Sequence, residues 1–239
     1  MKKIFFLIGL HALTISLNAQ NSKDQLSLQG DFESFSSGAG ATINTSSIPT
    51  FSHTEATVGT RFLFKNWVKG KLVNNAGQTF AEGLFNFEKI PQVLYVKTNS
   101  TNKVYVFQKT ELKSLMFTDG DIVYQFEKIP SLNNSSLYRK LAGGSKYSLY
   151  SLMRTSFQKA NFTTNGIITT GNPYDEYRDE ITYFVVFADG KAKEVSLKKK
   201  AIKKFFEADK NKVDKYFSEN DDTTIDEKFL IQLIDSLNL

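Results

Sequence analysis

Short apolar segments separated by polar turns run through the chain between residues 60 and 197, and this pattern limits the fold more than any other feature. Residues 61–67, 93–97 and 181–188 are typical, being rich in aromatic and β-branched side chains. Asp119-Gly120 and Asp189-Gly190 have the chemistry of tight hairpin turns. Strands at this spacing predict an antiparallel, meander-like sheet that can be partly closed. The continuous apolar run 181–188 predicts a strand buried on both faces.

The C-terminal part of the chain changes from strand to helix periodicity. Apolar residues at helical spacing predict three helices, with Ser196 capping the first and Thr224 and Glu227 forming a capping box for the third. The apolar face predicted for the third helix consists of Phe229, Leu230, Leu233, Ile234 and Leu237. Because these faces need a surface to cover, the sequence predicts an α+β fold with three C-terminal helices packed on the sheet.

The N-terminus has the pattern of a secretory signal peptide. Lys2 and Lys3 precede a mostly apolar stretch over residues 4–17, and Asn18-Ala19-Gln20 follows with a small residue before a polar start. The stretch is shorter than the ~20 residues of a spanning helix, so we expect export without a membrane anchor. Localisation in the periplasm, on the outer-membrane surface or outside the cell follows from this prediction.

These patterns divide the 239 residues into four parts. Residues 1–19 are the predicted signal peptide, and residues 20–57 form a Ser/Thr/Gly-rich arm, linker or irregular edge strand. An antiparallel β domain over residues 58–197 and a helical segment over residues 198–239 complete the chain. We expect Trp67, Phe87, Phe126 and Phe187 to share one core, because each lies in a strand with bulky neighbours.

Composition excludes several chemistries. The chain has no cysteine, and removal of residues 1–19 leaves His53 as its one histidine, so disulfides, thiolate catalysis and histidine triads are excluded or disfavoured. Removal of residues 1–19 lowers the net charge from +5 to +3, because that segment carries two lysines and no acidic residue, and so small a charge gives no ground for a nucleic-acid partner. No cofactor motif and no catalytic residue is predicted, although carboxylate-only chemistry such as glycoside hydrolysis stays open.

Charge is uneven in the C-terminal region. Residues 190–217 hold ten lysines and four acidic residues, whereas residues 218–239 hold six acidic residues and one lysine. Two interpretations stay open: a basic face for anionic lipid headgroups or polysaccharide, or neutralisation of one stretch by the other.

One acidic cluster is a candidate cation site. Asp175, Glu176, Asp179 and Glu180 lie within six positions and supply the carboxylate oxygens that calcium prefers. The spacing does not match an EF-hand loop, and a solvated loop partly neutralised by Arg178 is the alternative interpretation.

Four stretches (59–67, 83–91, 144–150 and 171–179), together with Asn18-Ala19-Gln20, resemble sequences of exported, functionally uncharacterised proteins of Bacteroidetes-type bacteria. The resemblance implies export and an envelope location, and it brings no catalytic residues.

The leading interpretation is an exported, soluble, non-enzymatic binding or structural module with possible contacts to the envelope or to glycans. Two alternatives stay open: a carboxylate-dependent enzyme acting on a glycan or a metal-bound substrate through residues 175–180, and a β-barrel carrier of an apolar ligand. A carrier requires a cavity of several hundred Å3, since ligand pockets have roughly 300–1,000 Å3.

We predict that the mature protein begins at Gln20, because cleavage follows the small residue Ala19. Intact-mass measurement of the exported protein checks this prediction. A mass that includes residues 1–19 contradicts it.

Overall fold

The computed structural model describes residues 42–44, 57–81, 83–98 and 104–239. The predicted signal peptide and most of the predicted arm, including His53, lie outside these ranges. The strands in the described part are β1 Thr42–Asn44, β2 Thr57–Val58, β3 Val68–Asn74, β4 Thr79–Phe80, β5 Leu84–Glu88, β6 Val93–Lys97, β7 Val104–Gln108, β8 Leu112–Asp119, β9 Ile122–Glu127, β10 Tyr138–Gly143, β11 Tyr147–Gln158, β12 Thr163–Thr164, β13 Thr169–Thr170, β14 Asp175–Phe187 and β15 Ala192–Val195. The α-helices there are α1 Lys199–Phe205, α2 Lys210–Glu219 and α3 Glu227–Asn238.

Most strands belong to one large sheet with the order β1-β7-β6-β5-β3-β8-β9-β10-β11-β14-β15. Neighbours along this path are antiparallel, whereas β2 pairs with β14 in the parallel direction and β4 pairs with β3. β12 and β13 form a separate small hairpin between β11 and β14. The predicted α+β class, with an antiparallel sheet and three C-terminal helices, is confirmed.

Strand register defines one apolar face, which we call the inner face. One row of directly opposed residues crosses seven neighbouring strands from β3 to β15. The row consists of Leu72, Leu115, Phe126, Arg139, Ser151, Tyr183 and Val195. Because side chains alternate between faces along a strand, residues two positions away in each strand lie on this face too.

Two different structures cover the inner face. Over β3 to β8 the sheet curls on itself, and aromatic rings meet edge to face: the Phe64 ring lies 5.3 Å from that of Phe117 and 5.2 Å from that of Tyr124. Over β11, β14 and β15 the three helices cover the face. The expected single core is therefore wrong, since Phe87 and Phe126 pack in the first cluster and Phe187 in the second.

The segment between β2 and β3 joins β14 to β5. β2 pairs with the start of β14, and the next residues reach β5 through a bridge between Phe62 and Glu88 and a 2.8 Å hydrogen bond from the Leu63 N–H to the Phe87 carbonyl. The predicted strand over residues 61–67 is wrong, because these residues form bends with one isolated bridge. In place of strand-to-strand hydrogen bonds, the buried Asn86 side-chain amide accepts from the Phe64 N–H and donates to the Phe64 carbonyl.

An ion pair between Lys89 and Asp179 also connects the end of β5 to β14. Lys89 follows β5, its side chain is 4% exposed, and its Nζ lies 2.9 Å from both carboxylate oxygens of Asp179 in β14. Thr155 on β11 donates to the same carboxylate at 2.5 Å. A lysine this deeply buried requires a partner charge, so this contact holds together parts of the sheet that are 90 residues apart in sequence.

β14 differs from the predicted strand buried on both faces. Tyr183 and Val185 are buried beneath the helices on the inner face. Phe184 and Val186 are only partly covered on the other face, where they border a small cluster around Ile129 and Tyr138. The predicted burial on both faces is therefore wrong. A continuous apolar run does not show whether both faces of a strand are fully covered or one face is only partly covered.

The predicted caps of α1 and α3, Ser196 and Thr224, each lie two residues too early. Lys198, without a side-chain cap, precedes α1 instead of Ser196, and Asp226 caps α3 by accepting from the Phe229 N–H at 2.9 Å. The predicted apolar face of α3 is confirmed, since all five of its residues are buried.

Polar clamps attach the helices to the β10–β11 hairpin. The Asn238 side chain accepts from the Tyr147 N–H and donates to its carbonyl, both at 2.9 Å. The Tyr147 hydroxyl and Lys146 Nζ both donate to Asp209. Burial opposes ionisation of this carboxyl, but the two donors outweigh it and lower the pKa of Asp209.

We predict an asymmetric response to removal of the two charges in the Lys89–Asp179 pair. Asp179→Asn strands a buried ammonium and should lower the free energy of unfolding by about 3 kcal/mol. Lys89→Met leaves a carboxylate whose side chain is 37% exposed, so we expect a cost of about 1 kcal/mol or less. Urea denaturation of the two variants measures both values.

Asp189→Asn is the matched control, because it breaks the exposed Lys191–Asp189 pair and should leave the urea midpoint unchanged. Equal costs for Asp179→Asn and Lys89→Met, or a larger cost for Lys89→Met, contradict the role given to this ion pair.

Candidate functional site

The structure places the predicted cation site in a strand. Residues 175–180 form the first half of β14, so the expectation of a loop there is wrong. Alternation along the strand places Asp175 and Asp179 on one face and Glu176 and Glu180 on the other. Four carboxylates that are dense in sequence therefore do not converge in space.

The two carboxylates on the inner face have partners within the protein. Asp175 accepts from the Ala160 N–H at 2.8 Å, and Asp179 accepts from Lys89 and Thr155. Among the described residues, no group of three or more acidic or histidine side chains is arranged to hold a metal ion. Through these contacts Asp175 and Asp179 stabilise the sheet.

The most distinctive recess lies on the inner face where the curled part of the sheet meets α3. Its lining is predominantly apolar. The apolar residues come from the β2–β3 segment, from β5, β8, β9, β11 and β14, and from the residue before β10. The apolar lining consists of Leu63, Phe87, Leu115, Phe117, Tyr124, Phe126, Leu137, Met153 and Ile181. We call this recess the inner cleft.

The inner cleft holds about 80 Å3 of free space. This volume is smaller than the roughly 300–1,000 Å3 of pockets that enclose a whole drug-sized ligand. It is large enough for a small apolar group, because a water molecule needs only about 10–15 Å3 measured in this way. The aromatic rings around it otherwise interdigitate, as the Phe117–Phe126 pair at 5.8 Å illustrates.

Charged and polar groups stand at the edge of the apolar lining. Arg139 projects from β10 over the Tyr124 ring at 4.7 Å, and its Nη1 lies 3.5 Å from Oε1 of Glu227. Lys109 follows β7, and its Nζ lies 2.6 Å from the amide oxygen of Gln92. Within the described part of the chain, no carboxylate lies within ion-pair distance of Lys109. Two cations and one carboxylate, with the polar side chains of Gln92 and Ser151, therefore line a largely apolar recess.

Glu227 influences a second neighbour at the N-terminus of α3. Tyr183 is nearly buried beside it, and burial together with the negative charge of Glu227 raises the pKa of the Tyr183 phenol to about 12. The phenol is consequently neutral at physiological pH and serves as a hydrogen-bond donor to Glu227. Glu227 is thus shared between Arg139 and Tyr183, and its 3.5 Å contact with Arg139 is long for a charged hydrogen bond.

Sequence reasoning predicted none of these polar groups as part of a site. The three charged residues are far apart in the chain: Arg139 and Lys109 belong to no motif, and Glu227 was predicted only as the partner of Thr224 in a capping box. The one available signal was local: Arg139 stands between Leu137 and Leu141, at a position where strand alternation demands an inward side chain.

No described helix has the length and apolar character needed to cross a membrane. No family model, curated protein or solved structure matches the chain.

Proposed function

We propose that the protein is an exported, non-enzymatic binding module of the cell envelope, and that its inner cleft binds a small apolar group carrying an anion. One observation carries the proposal: an apolar recess and two cationic side chains, Arg139 and Lys109, meet at one place on the inner face.

The apolar part of the ligand is inferred from the lining. Burying one methylene group in such a recess contributes about 0.8 kcal/mol, so a chain of a few carbons gains useful affinity there. The free space of about 80 Å3 limits this contribution to a short chain or a small ring. Longer ligands would extend past the half-exposed Ile181 into solvent.

The anionic part is inferred from charge. The two positive charges of Arg139 and Lys109 exceed the single negative charge of Glu227. A bound anion would therefore neutralise the inner cleft. Arginine binds carboxylate in a bidentate manner when geometry allows, and such bonds are about twice as strong as neutral ones. Because the contact between Arg139 and Glu227 is long, the Arg139 guanidinium is available to bind the anion of a ligand.

The same lining argues against catalysis. Glu227 is the one carboxylate among the described residues that line the inner cleft, whereas glycoside hydrolysis uses a pair of carboxylates across the scissile bond. The export half of the proposal is supported by the basic start, the apolar stretch over residues 4–17 and the small residue Ala19.

Calorimetric titration with linear carboxylates tests the proposal. From butanoate to hexanoate, affinity should rise about fourfold for each added methylene and then level off once the inner cleft is filled. Hexanoate should bind roughly tenfold more tightly than hexan-1-ol, which has the same chain and no charge.

Two variants with opposite expected effects sharpen the test. Arg139→Gln should weaken hexanoate binding roughly tenfold and leave hexan-1-ol unchanged, because it removes only the charge contact. Glu227→Gln should tighten hexanoate binding, because it removes a competitor for Arg139. Arg154→Gln, on the exposed part of β11, is the control and should change neither ligand. Equal affinity for the acid and the alcohol contradicts the proposal.

A further inference from the structure

The surface formed by α1, α2 and the residue before α1 concentrates positive charge. Residues 190–217 contain ten lysines against four acidic residues, and none of residues 190–239 is an arginine. Nine of these ten lysines are exposed. Seven of the nine lie on α1, α2 or the residue before α1, and we call them the lysine face: Lys198, Lys199, Lys200, Lys204, Lys210, Lys212 and Lys215.

The acidic end of the chain does not neutralise the lysine face. Of the six acidic residues in 218–239, only Glu219 forms an ion pair with it, through Lys215 at 3.7 Å. Another acid of that stretch, Glu227, is directed to Arg139 at the inner cleft. Among the described residues, Lys198, Lys200 and Lys204 have no carboxylate within 4.0 Å.

The arrangement of lysines in α1 is unfavourable for the isolated protein. Lys199 and Lys203 lie one turn apart, as do Lys200 and Lys204, and like charges at this spacing destabilise a helix. Phe217 lies beneath one of these pairs, 5.3 Å from Lys199 Nζ and 5.5 Å from Lys203 Nζ, and Asp214 pairs with Lys203. The pair formed by Lys200 and Lys204 has no such compensation in the described structure, so an external anion is its natural partner.

We propose that the lysine face docks the protein onto an anionic phospholipid surface. Lysine is a compact point charge without the planar fork by which arginine recognises individual phosphates, so an array of lysines suits a diffuse sheet of negative charge. Phe206 and Phe217 beneath the face are buried, and the half-buried rings of Phe205 and Tyr216 already pack on Phe187 and Phe229. These rings therefore favour a charged surface over a sugar or a base that needs a free ring to stack on. The proposal is independent of the inner cleft and of its ligand.

Vesicle co-sedimentation of the mature chain tests the proposal, with vesicles of phosphatidylglycerol and phosphatidylcholine compared with pure phosphatidylcholine. Binding should require phosphatidylglycerol and should weaken steeply as salt is raised. Each lysine near an anionic membrane increases partitioning about fivefold. Lys198→Gln/Lys200→Gln/Lys204→Gln should therefore bind about 100-fold more weakly than the unmodified chain.

Lys65→Gln/Lys69→Gln/Lys71→Gln is the matched control, because it removes the same charge from exposed positions in and before β3. It should retain binding within a few fold, and both triple variants should keep the melting temperature of the parent because all six side chains are exposed. An equal loss in the two triple variants shows that net charge, not the lysine face, drives binding and overturns the proposal. Binding to dextran sulfate without binding to phosphatidylglycerol vesicles overturns it as well.

Discussion

The fold depends on the need to bury one apolar face of a single large sheet. From Leu72 in β3 to Val195 in β15, directly opposed residues continue this face from strand to strand. A sheet of this width cannot leave such a face in water, because burial of apolar surface is the main driving force of folding. Two structures cover this face: the sheet curls on itself over β3 to β8, and three helices pack over β11, β14 and β15.

The inner cleft lies at the seam between these two coverings. β10 crosses the seam, and Arg139 and Ser151 are the two non-aromatic polar members of the otherwise apolar or aromatic row that crosses the sheet. A charged residue at such a position is costly unless it has a partner, and here it contacts Tyr124 and Glu227. The Lys89–Asp179 pair keeps the curled part closed, so it also fixes Phe87 near Ile181 across the recess.

Sequence reasoning predicts the regular parts of this structure well. The strand at residues 93–97 is confirmed without change, because Pro91 and the polar residues after it delimit an apolar run. The buried face of α3 is confirmed because five apolar residues recur at helical spacing. Local patterns succeed where one face of one element decides burial.

The same reasoning fails where distant parts of the chain determine the structure. Residues 175–180 look like a solvated loop because all but one of them are charged. Pairing with β11 nevertheless makes them a strand. Strand alternation directs Asp179 to the inner face, where Lys89 meets it from 90 positions away, and no spacing rule reveals that contact. The inner cleft has the same origin, since its lining extends from Leu63 to Glu227.

Methyl-resolved NMR during a hexanoate titration tests directly whether the seam of the inner face is a ligand site. Leu137, Met153 and Ile181 line the inner cleft, whereas Ile167 and Ile168 are exposed in the β12–β13 hairpin. If hexanoate binds in the inner cleft, the methyl signals of the first three residues should shift saturably and those of the two hairpin residues should not shift. Shifts confined to the hairpin, or no saturable shift at the inner cleft, would contradict a ligand site at this seam.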